Sequence, residues 1–233
     1  MINIRAKFTK QKNSKYISHL DLMRLFQRAF RRAGILVKHT EGFNPQPKLA
    51  FATALSLGVS SEGEYMDVEL ENSIEVDEFI NRTNSVLPEG VKIVKAAYKE
   101  EKESIMSLIR WGSYIVEIEL INDIDNTKLE SEIQRFLSLE EIPVMKERKR
   151  KKKIEIRQEN IKDKIKDIKV LLHEDKRVVL KTTLMTGSNG NLKPELLLEA
   201  IDKYSEIKIN SSETKIHRLE LFIEQDGNVI TPI

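Results

Sequence analysis

The side chains best suited to binding chemistry lie on one predicted helix near the N-terminus. Residues three and four apart on a helix are neighbours on one face, and four polar side chains share this spacing: Arg24, Gln27, Arg28 and Arg31. The guanidinium group of arginine is a planar fork that matches phosphate geometry. The spacing therefore favours an anion-binding face. A solvated face on which Arg24 pairs with Asp21 is the alternative.

A loop with the side chains that recognise single-stranded RNA follows this helix. Residues 41–48 are predicted to be a loop because they contain Gly42, Pro45 and Pro47. Phe43 offers a ring for stacking, Asn44 an amide for a base edge, and Lys48 a cation for a phosphate. The alternative is a rigid connector with Phe43 packed in the core.

A dense basic run forms a third candidate. Residues 146–153 read Lys-Glu-Arg-Lys-Arg-Lys-Lys-Lys and hold seven cations in eight positions. Such a run binds phosphates without sequence specificity, and Arg148, Lys149 and Arg150 are its candidate contacts. We predict that the run is poorly ordered or forms a protruding hairpin, because burying it would be too costly.

Three further residues are secondary candidates. His19 lies in the first helical turn, where it could act as a general base or anchor the preceding loop. Asp21 is two residues away and points elsewhere, so we predict an anchoring role. Gly187 and Gly190 precede a helix predicted to begin at Pro194, and backbone amides there could hold an anion or form a flexible turn.

Composition excludes several classes of chemistry. The chain of 233 residues has no cysteine, which removes disulfides, thiolate metal sites and thiol catalysis. Its four histidines are scattered, so no metal site, cofactor or catalytic motif is expected. The sequence has no run of about 18 apolar residues and no secretory signal. We therefore expect a cytoplasmic protein that does not bind membranes.

The net charge of +2 conceals a segregation of charge. Residues 1–50 hold 11 Lys or Arg and 2 Asp or Glu, whereas residues 51–143 hold 8 and 20. Residues 144–233 hold 20 and 15. This asymmetry suggests an anionic partner, most commonly nucleic acid. The alternative is that the basic and acidic segments pair with each other.

Hydrophobic periodicity predicts an α+β protein of two successive units. Both are predicted as ferredoxin-like units of order β-α-β-β-α-β, the second irregular, in domains 1–100 and 105–233. The first has strands at 2–9, 49–55, 66–70 and 91–97 and helices capped by Ser18 and Ser73. The second has strands at 113–120, 170–172, 178–184 and 216–224 and helices at 127–139 and from Pro194.

Four segments of the N-terminal third resemble one bacterial family, the radical SAM-linked proteins: residues 16–24, 26–34, 42–49 and 57–65. The C-terminal half matches chiefly through residues 187–194. Members of that family are small cytosolic proteins encoded beside, or fused to, a radical-SAM protein with a cobalamin-binding-type domain. Their genes often neighbour those for a ribonuclease and for ribosomal proteins. The resemblance implies an auxiliary role in RNA or ribosome metabolism and assigns no catalytic residue.

The order of elements is also similar to that of the tandem ferredoxin-like endoribonucleases that process CRISPR repeats. Three hypotheses follow. The first is an RNA-binding accessory protein that presents RNA to a radical-SAM partner. The second is a metal-independent endoribonuclease with His19 as its base. The third is a protein-interaction module that docks a partner through the acidic residues 62–103 and does not bind RNA.

Overall fold

The computed structural model describes the backbone of residues 2–100, 103–150 and 153–233, and the side chains of these residues except 147–150 and 153–155. Two units group in space. The first unit comprises Met1–Gly112, Thr186–Asn189 and His217–Ile233, and the second comprises Ser113–Met185 and Gly190–Ile216. The domain boundary expected at residues 100–105 stays a prediction, because spatial grouping does not test it.

The fold is α+β, with a mixed β-sheet and few helices. The helices are α1 (His19–Arg32), α2 (Val76–Asn84), α3 (Ile105–Leu108), α4 (Asn126–Ser138) and α5 (Pro194–Tyr204). The strands are β1 (Ile2–Lys10), β2 (Leu49–Phe51), β3 (Ser60–Leu70), β4 (Val91–Tyr98), β5 (Ile109–Leu120), β6 (Pro143–Arg150), β7 (Lys153–Asn160), β8 (Ile165–Glu174), β9 (Arg177–Met185), β10 (Ile209–Gln225) and β11 (Asn228–Ile230).

The sheet of the first unit is centred on β1 and β3. Strand β1 lies between β4 and β3 and is antiparallel to both. Strand β2 is antiparallel to β3, with Leu49 opposite Val68. The C-terminal part of β10 runs parallel to β3, with His217 opposite Ser60. One parallel pairing among antiparallel ones makes this a mixed sheet.

Helices α1 and α2 cover one face of this sheet. Alternate residues of β1, such as Ile4 and Phe8, point to that face because side chains alternate along a strand. The ring of Phe8 meets that of Phe26 at 4.9 Å between centroids, and Phe30 stacks on Phe79 at 5.7 Å. All four rings are fully or almost fully buried, and each contributes about 1.5–3 kcal/mol by burial. This core holds α1 in a fixed orientation.

The other face of the same sheet is also covered. A small apolar cluster there includes Tyr65, Ile105 and Leu221. Beside it, Arg5 is fully buried and its Nε donates to Asp67 Oδ1 at 2.8 Å. A buried charge is tolerated only when it is paired, and Asp67 supplies that pairing in the first unit.

The second unit has its own hydrophobic core. Its strands lie in the order β10-β5-β9-β8. Helices α4 and α5 pack on this sheet through residues such as Phe136, Leu197 and Ile201, which form one cluster with Val116 and Leu180. Strands β8 and β9 are antiparallel, with Glu174 opposite Arg177, so the predicted turn at 174–176 is confirmed.

The basic run lies on a separate two-stranded hairpin. Strands β6 and β7 pair with each other from Pro143 opposite Asn160 to Arg150 opposite Lys153. The hairpin predicted for this run is therefore confirmed. Residues 151 and 152 lie outside the described residues. At the base of the hairpin, Lys146 Nζ lies 3.1 Å from Glu159 Oε2.

Several predicted elements differ in detail. Strand β2 ends at Phe51 rather than at residue 55, and β10 begins at Ile209 rather than at 216. The predicted cap of α2 at Ser73 is wrong, because the helix begins two residues later with Glu75 as its N-cap. By contrast, Ser18 caps α1 as predicted.

Two glycines have similar positive φ angles but differ in the space available for a Cβ, so their alanine variants distinguish the effect of packing from that of backbone strain. Gly187 has φ +126° and Gly42 has φ +123°. A Cβ at Gly187 would lie 2.4 Å from Ile109 O, whereas a Cβ at Gly42 would have no atom within 4 Å. We expect Gly187→Ala to lower the free energy of unfolding by about 1–3 kcal/mol more than Gly42→Ala, the scale of an overpacked site. Urea denaturation measures both, and equal losses would contradict a packing role for Gly187.

Candidate nucleic-acid interface

Helix α1 positions the predicted arginine face. Its N-terminus is closed by Ser18, whose Oγ accepts from the Asp21 N–H at 3.1 Å and donates to Asp21 Oδ2 at 2.7 Å. Its buried face packs into the core through Leu22, Phe26, Ala29 and Phe30. The helical repeat turns the opposite face outward. The exposed arginines on it are Arg24, Arg28 and Arg31.

The charges on this face are not equally compensated. Arg24 Nη1 lies 2.9 Å from Asp21 Oδ1, so the alternative raised for Arg24 is correct. Hydrogen bonds from Ser18 and Arg24 hold the pKa of Asp21 below its usual value, which keeps this carboxylate ionised at neutral pH. Among the described residues, no carboxylate pairs with Arg28 or Arg31. Two guanidinium groups therefore remain available to an anion.

A cleft runs beside the arginine face. It has a volume of about 560 Å³ and lies within the first unit. One wall is α1, with Gln27 half-buried among the arginines. The other walls come from the segment after α1 and from the start of β2. The lining residues are Arg24, Gln27, Arg28, Phe30, Arg31, Gly34, Ile35, Leu36, Val37, His39, Pro47, Leu49 and Glu71. We call this the arginine cleft.

The predicted RNA-recognition loop begins and ends beside residues that line the arginine cleft. Its base is closed by hydrogen bonds from the Thr40 N–H to Gln46 O at 2.8 Å and from the Gln46 N–H to Thr40 Oγ1 at 3.0 Å. Phe43 near its tip has a relative exposure of 112%, and Asn44 is exposed. The alternative in which Phe43 packs in the core is therefore wrong.

Lys48 lies apart from the arginine cleft. Leu49 packs with the core below α1, and alternation along the extended chain turns Lys48 to the other side. There Lys48 Nζ and Lys38 Nζ each lie 3.0 Å from Glu69. The hydrogen bonds from Lys48 and Lys38 hold the pKa of Glu69 below its usual range, although burial opposes them. These three residues together carry one net positive charge.

His19 packs against an aromatic ring. The centroid of its ring lies 5.5 Å from that of Phe51 in an edge-to-face arrangement. In the described part of the chain, no hydrogen bond joins His19 to Asp21, which is engaged by Ser18 and Arg24. A general base needs an orienting partner and reach to its proton. The geometry supports a packing role for His19.

We expect His19→Ala to lower the free energy of unfolding by about 1 kcal/mol, the scale of one aromatic contact. His19→Phe is the matched control, since it keeps a ring against Phe51 and should preserve stability. Urea denaturation of both variants provides the measurement. The contrary result would be that the wild-type protein cleaves RNA and that His19→Ala abolishes this cleavage while its stability is unchanged. His19 would then act as a general base.

The remaining candidates have structural explanations or lie beyond the described side chains. The lack of a Cβ at Gly187 admits the carbonyl of Ile109, and a Cβ at Gly190 would lie 2.5 Å from Met185 Sδ. Close packing against a backbone carbonyl thus accounts for Gly187, whereas the atom beside Gly190 belongs to a flexible side chain that can shift to admit a Cβ. Three candidates lie on β6 with side chains outside the described residues: Arg148, Lys149 and Arg150.

Sequence reasoning identified only the α1 residues of the arginine cleft, and the lining residues it missed include Leu36, His39 and Pro47. Leu36 is apolar yet 55% exposed, and nothing in its local pattern separates it from the buried Ile35 and Val37 beside it. Pro47 was identified only as a loop signal. An apolar residue beside a basic helix face is the one sequence feature that could have pointed to the cleft.

Metal and membrane features are absent from the described ranges. No group of three or more His, Asp or Glu side chains among these residues is placed to hold a metal ion. No helix in the described part of the chain combines the length and apolar character that crossing a membrane requires.

Comparisons with known proteins place the chain in a broader context. The profile of the family described as "Uncharacterized protein conserved in bacteria (DUF2344)" matches residues 3–194. No curated protein matches the sequence. The chain is 12% identical to one in the "Crystal Structure of a Cbf5-Nop10-Gar1 Complex", with a TM-score of 0.53, covering 94% of this chain and 48% of that one.

A further similar structure is the "Structure of H/ACA RNP bound to a substrate RNA containing 2'-deoxyuridine". The identity is 13% and the TM-score 0.49, with 92% of this chain and 46% of that chain covered. The chain thus spans about half the length of the solved chains it matches. At such identities only the likeness with the TM-score of 0.53 bears on the fold, and it supports the α+β class.

Proposed function

The chain belongs to the bacterial DUF2344 family, and we propose from its own surfaces that it is an RNA-binding accessory protein. The observation that carries this proposal is the pair Arg28 and Arg31. Both are exposed, and no described carboxylate pairs with them. Arginine forks suit phosphate oxygens, and the exposed ring of Phe43 on the neighbouring loop offers a stacking platform for a base.

The proposal includes two tandem ferredoxin-like units, the second irregular. In the first unit the elements β1-α1-β2-β3-α2-β4 form a sheet of order β4-β1-β3-β2. In the second, β5-α4-β8-β9-α5-β10 form a sheet of order β10-β5-β9-β8. The two orders are equivalent once the β6–β7 hairpin is treated as an insertion. This equivalence supports the proposed repetition of one β-α-β-β-α-β plan.

The basic hairpin supplies a second proposed contact with RNA. Its run of cations at 146–153 suits a phosphate backbone without selecting a sequence. We therefore assign base recognition to the arginine cleft and its loop, and general attraction to the hairpin.

The proposed partner is a radical-SAM protein, to which this chain presents RNA in the cytoplasm. Support comes from the resemblance of residues 16–65 to the radical SAM-linked family. Purification of the tagged full chain from its native cell, with and without ribonuclease, tests the partnership. A radical-SAM protein retained after ribonuclease treatment supports a direct contact. Its absence from both samples overturns the partnership without affecting RNA binding.

The interaction-module hypothesis is weakened by the ion pairs of the acidic segment. Within residues 62–103, Glu69 binds two lysines and Asp67 binds Arg5 and Lys99. Glu64 Oε1 lies 2.8 Å from Arg218 Nη1 in a buried pair. Basic and acidic segments thus neutralise each other here, as the charge-pairing alternative expects. Arg28 and Arg31 of α1 take part in none of these pairs.

Fluorescence anisotropy of a labelled, unstructured RNA of about 12 nucleotides, within the usual site size, tests RNA binding. We expect a dissociation constant that rises steeply between about 50 and 200 mM salt. Single-stranded DNA of the same sequence reports any contact with the 2′-hydroxyl. Gel analysis of the RNA ends separates binding from cleavage. Failure to bind at low salt would overturn the proposed function.

A further inference from the structure

The arginine cleft has the size and lining of a nucleotide site. Its volume of about 560 Å³ falls within the range of about 300–1,000 Å³ that holds small ligands. Apolar side chains such as Leu36 and Leu49 form one part of its lining, and the α1 arginines form another. Apolar side chains beside guanidinium groups match the two ends of a nucleotide, because its base is largely apolar on its faces and its phosphate is anionic.

Gln27 adds a group that can read a base edge. Its side chain is half-buried in the wall of the cleft between Arg24 and Arg28. Among the described residues, no hydrogen bond occupies its amide. An amide both donates and accepts, so it can pair with the edge of a base held against the apolar wall.

The loop carrying Phe43 is joined to the cleft at both of its ends. His39 and Pro47 form an isolated bridge at the base of the loop, and both also line the cleft. An RNA strand that leaves the cleft at this rim would therefore contact the loop directly. Phe43, which is fully exposed near the tip, can then stack on the adjacent base.

We propose that the arginine cleft binds one unpaired nucleotide, its base against Leu36 and Leu49 and its phosphate on Arg28 and Arg31. This deepens the proposed function and rests on it only in naming an RNA strand as the source of the nucleotide. The neighbouring base of that strand stacks on Phe43. The site is separate from the basic hairpin, which contacts phosphates alone.

Titration with mononucleotides tests the cleft independently of RNA. The probes are AMP, GMP, CMP and UMP, with ribose 5-phosphate and inorganic phosphate as base-free references, measured by calorimetry or by NMR. We expect at least one nucleotide to bind about tenfold or more tightly than ribose 5-phosphate, the size of one base-stacking contact. Equal binding of ribose 5-phosphate and all four nucleotides would overturn the cleft as a base site.

Two variants locate the binding. Leu36→Trp places a bulky ring at the wall of the cleft and should remove the preference for nucleotides. Leu20→Trp is the matched control, because Leu20 is an exposed leucine on α1, 62% exposed, that does not line the cleft. Both leucines are exposed, so both variants should unfold at the wild-type temperature. Leu36→Ala provides a second, smaller change that should weaken nucleotide binding without blocking the cleft.

The outcomes separate this proposal from the proposed function. In one outcome, the wild type shows no preference for nucleotides, and Leu36→Trp leaves salt-dependent RNA binding unchanged. This result overturns the nucleotide site in the arginine cleft but keeps the proposed RNA binding. In another outcome, Leu36→Trp abolishes a preference for nucleotides, but the wild type does not bind RNA. This result supports the nucleotide site and overturns RNA as its ligand. If Leu20→Trp loses the preference for nucleotides as fully as Leu36→Trp does, the nucleotide does not bind in the arginine cleft.

Discussion

Replacing both Arg28 and Arg31 by alanine should weaken the binding of single-stranded RNA by about 10- to 100-fold at low salt, which corresponds to about 0.7–1.4 kcal/mol for each of two solvent-exposed contacts. Neither guanidinium has a described carboxylate partner, so RNA replaces no existing ion pair. Each lost phosphate contact on a single strand reduces the slope of log affinity against log salt by about 0.7, and the pair by about 1.4. Anisotropy titrations at several salt concentrations measure both quantities.

The control is a pair of lysines elsewhere in the first unit. Lys92 and Lys95 are exposed residues of β4, and replacing them by alanine removes the same total charge. This variant should keep most of the affinity and the slope. If both double variants lose affinity equally, RNA responds to net charge alone and the arginine face is not a binding site.

Replacing Asp67 by alanine should lower the free energy of unfolding by about 3–5 kcal/mol, the cost of breaking a buried ion pair. Asp67 accepts from Arg5 Nε at 2.8 Å and from Lys99 Nζ at 3.0 Å. It also accepts from the N–H of Ile105 at 3.0 Å. Without the carboxylate, two cations would lose the acid that pairs with them in a place that water hardly reaches, because the side-chain exposure of Arg5 is 0% and that of Lys99 is 6%.

Urea denaturation of the full chain measures this loss. Glu89→Ala is the control, since Glu89 also forms an ion pair, with Lys12, but both side chains are exposed. That variant should leave the unfolding midpoint unchanged, because exposed pairs contribute little. Asp67→Asn, which keeps the shape without the charge, should fall between the two. A loss for Asp67→Ala below about 1 kcal/mol would show that Arg5 and Lys99 find other compensation.

Local pattern was sufficient for α1 and for the start of α5, although the same capping signal misplaced the start of α2. The 3–4 spacing along α1 predicted both its buried phenylalanines and its exposed arginines, because helical rotation determines the relative directions of neighbouring side chains. The Ser18 cap and the start of α5 at Pro194 were predicted for the same reason, since their partners are within the same turn. The cost of burying the charges at 146–153 predicted either a poorly ordered run or a protruding hairpin, and strand pairing shows the hairpin.

Long-range contacts were beyond the reach of the sequence. Residues 41–48 suit an exposed loop and a packed connector equally well, and only the hydrogen bonds between Thr40 and Gln46 decide that Phe43 faces outward. Lys48 met the chemical requirement for a phosphate contact, yet its partner Glu69 lies on β3. Such pairings depend on strand register, which no local pattern encodes.

The sequence by itself determined the α+β class, the first helix with its two faces and the positions of most strands. The tertiary structure alone decided what lies on the second face of the first sheet, where Tyr65 forms a cluster with Ile105 and Leu221 and where Arg5 pairs with Asp67. It also decided that Leu36 and Pro47 meet the arginines of α1 in one cleft. The physical reason is that periodicity reports the direction of a side chain relative to its own backbone. What that side chain meets depends on segments that folding brings together from distant parts of the chain.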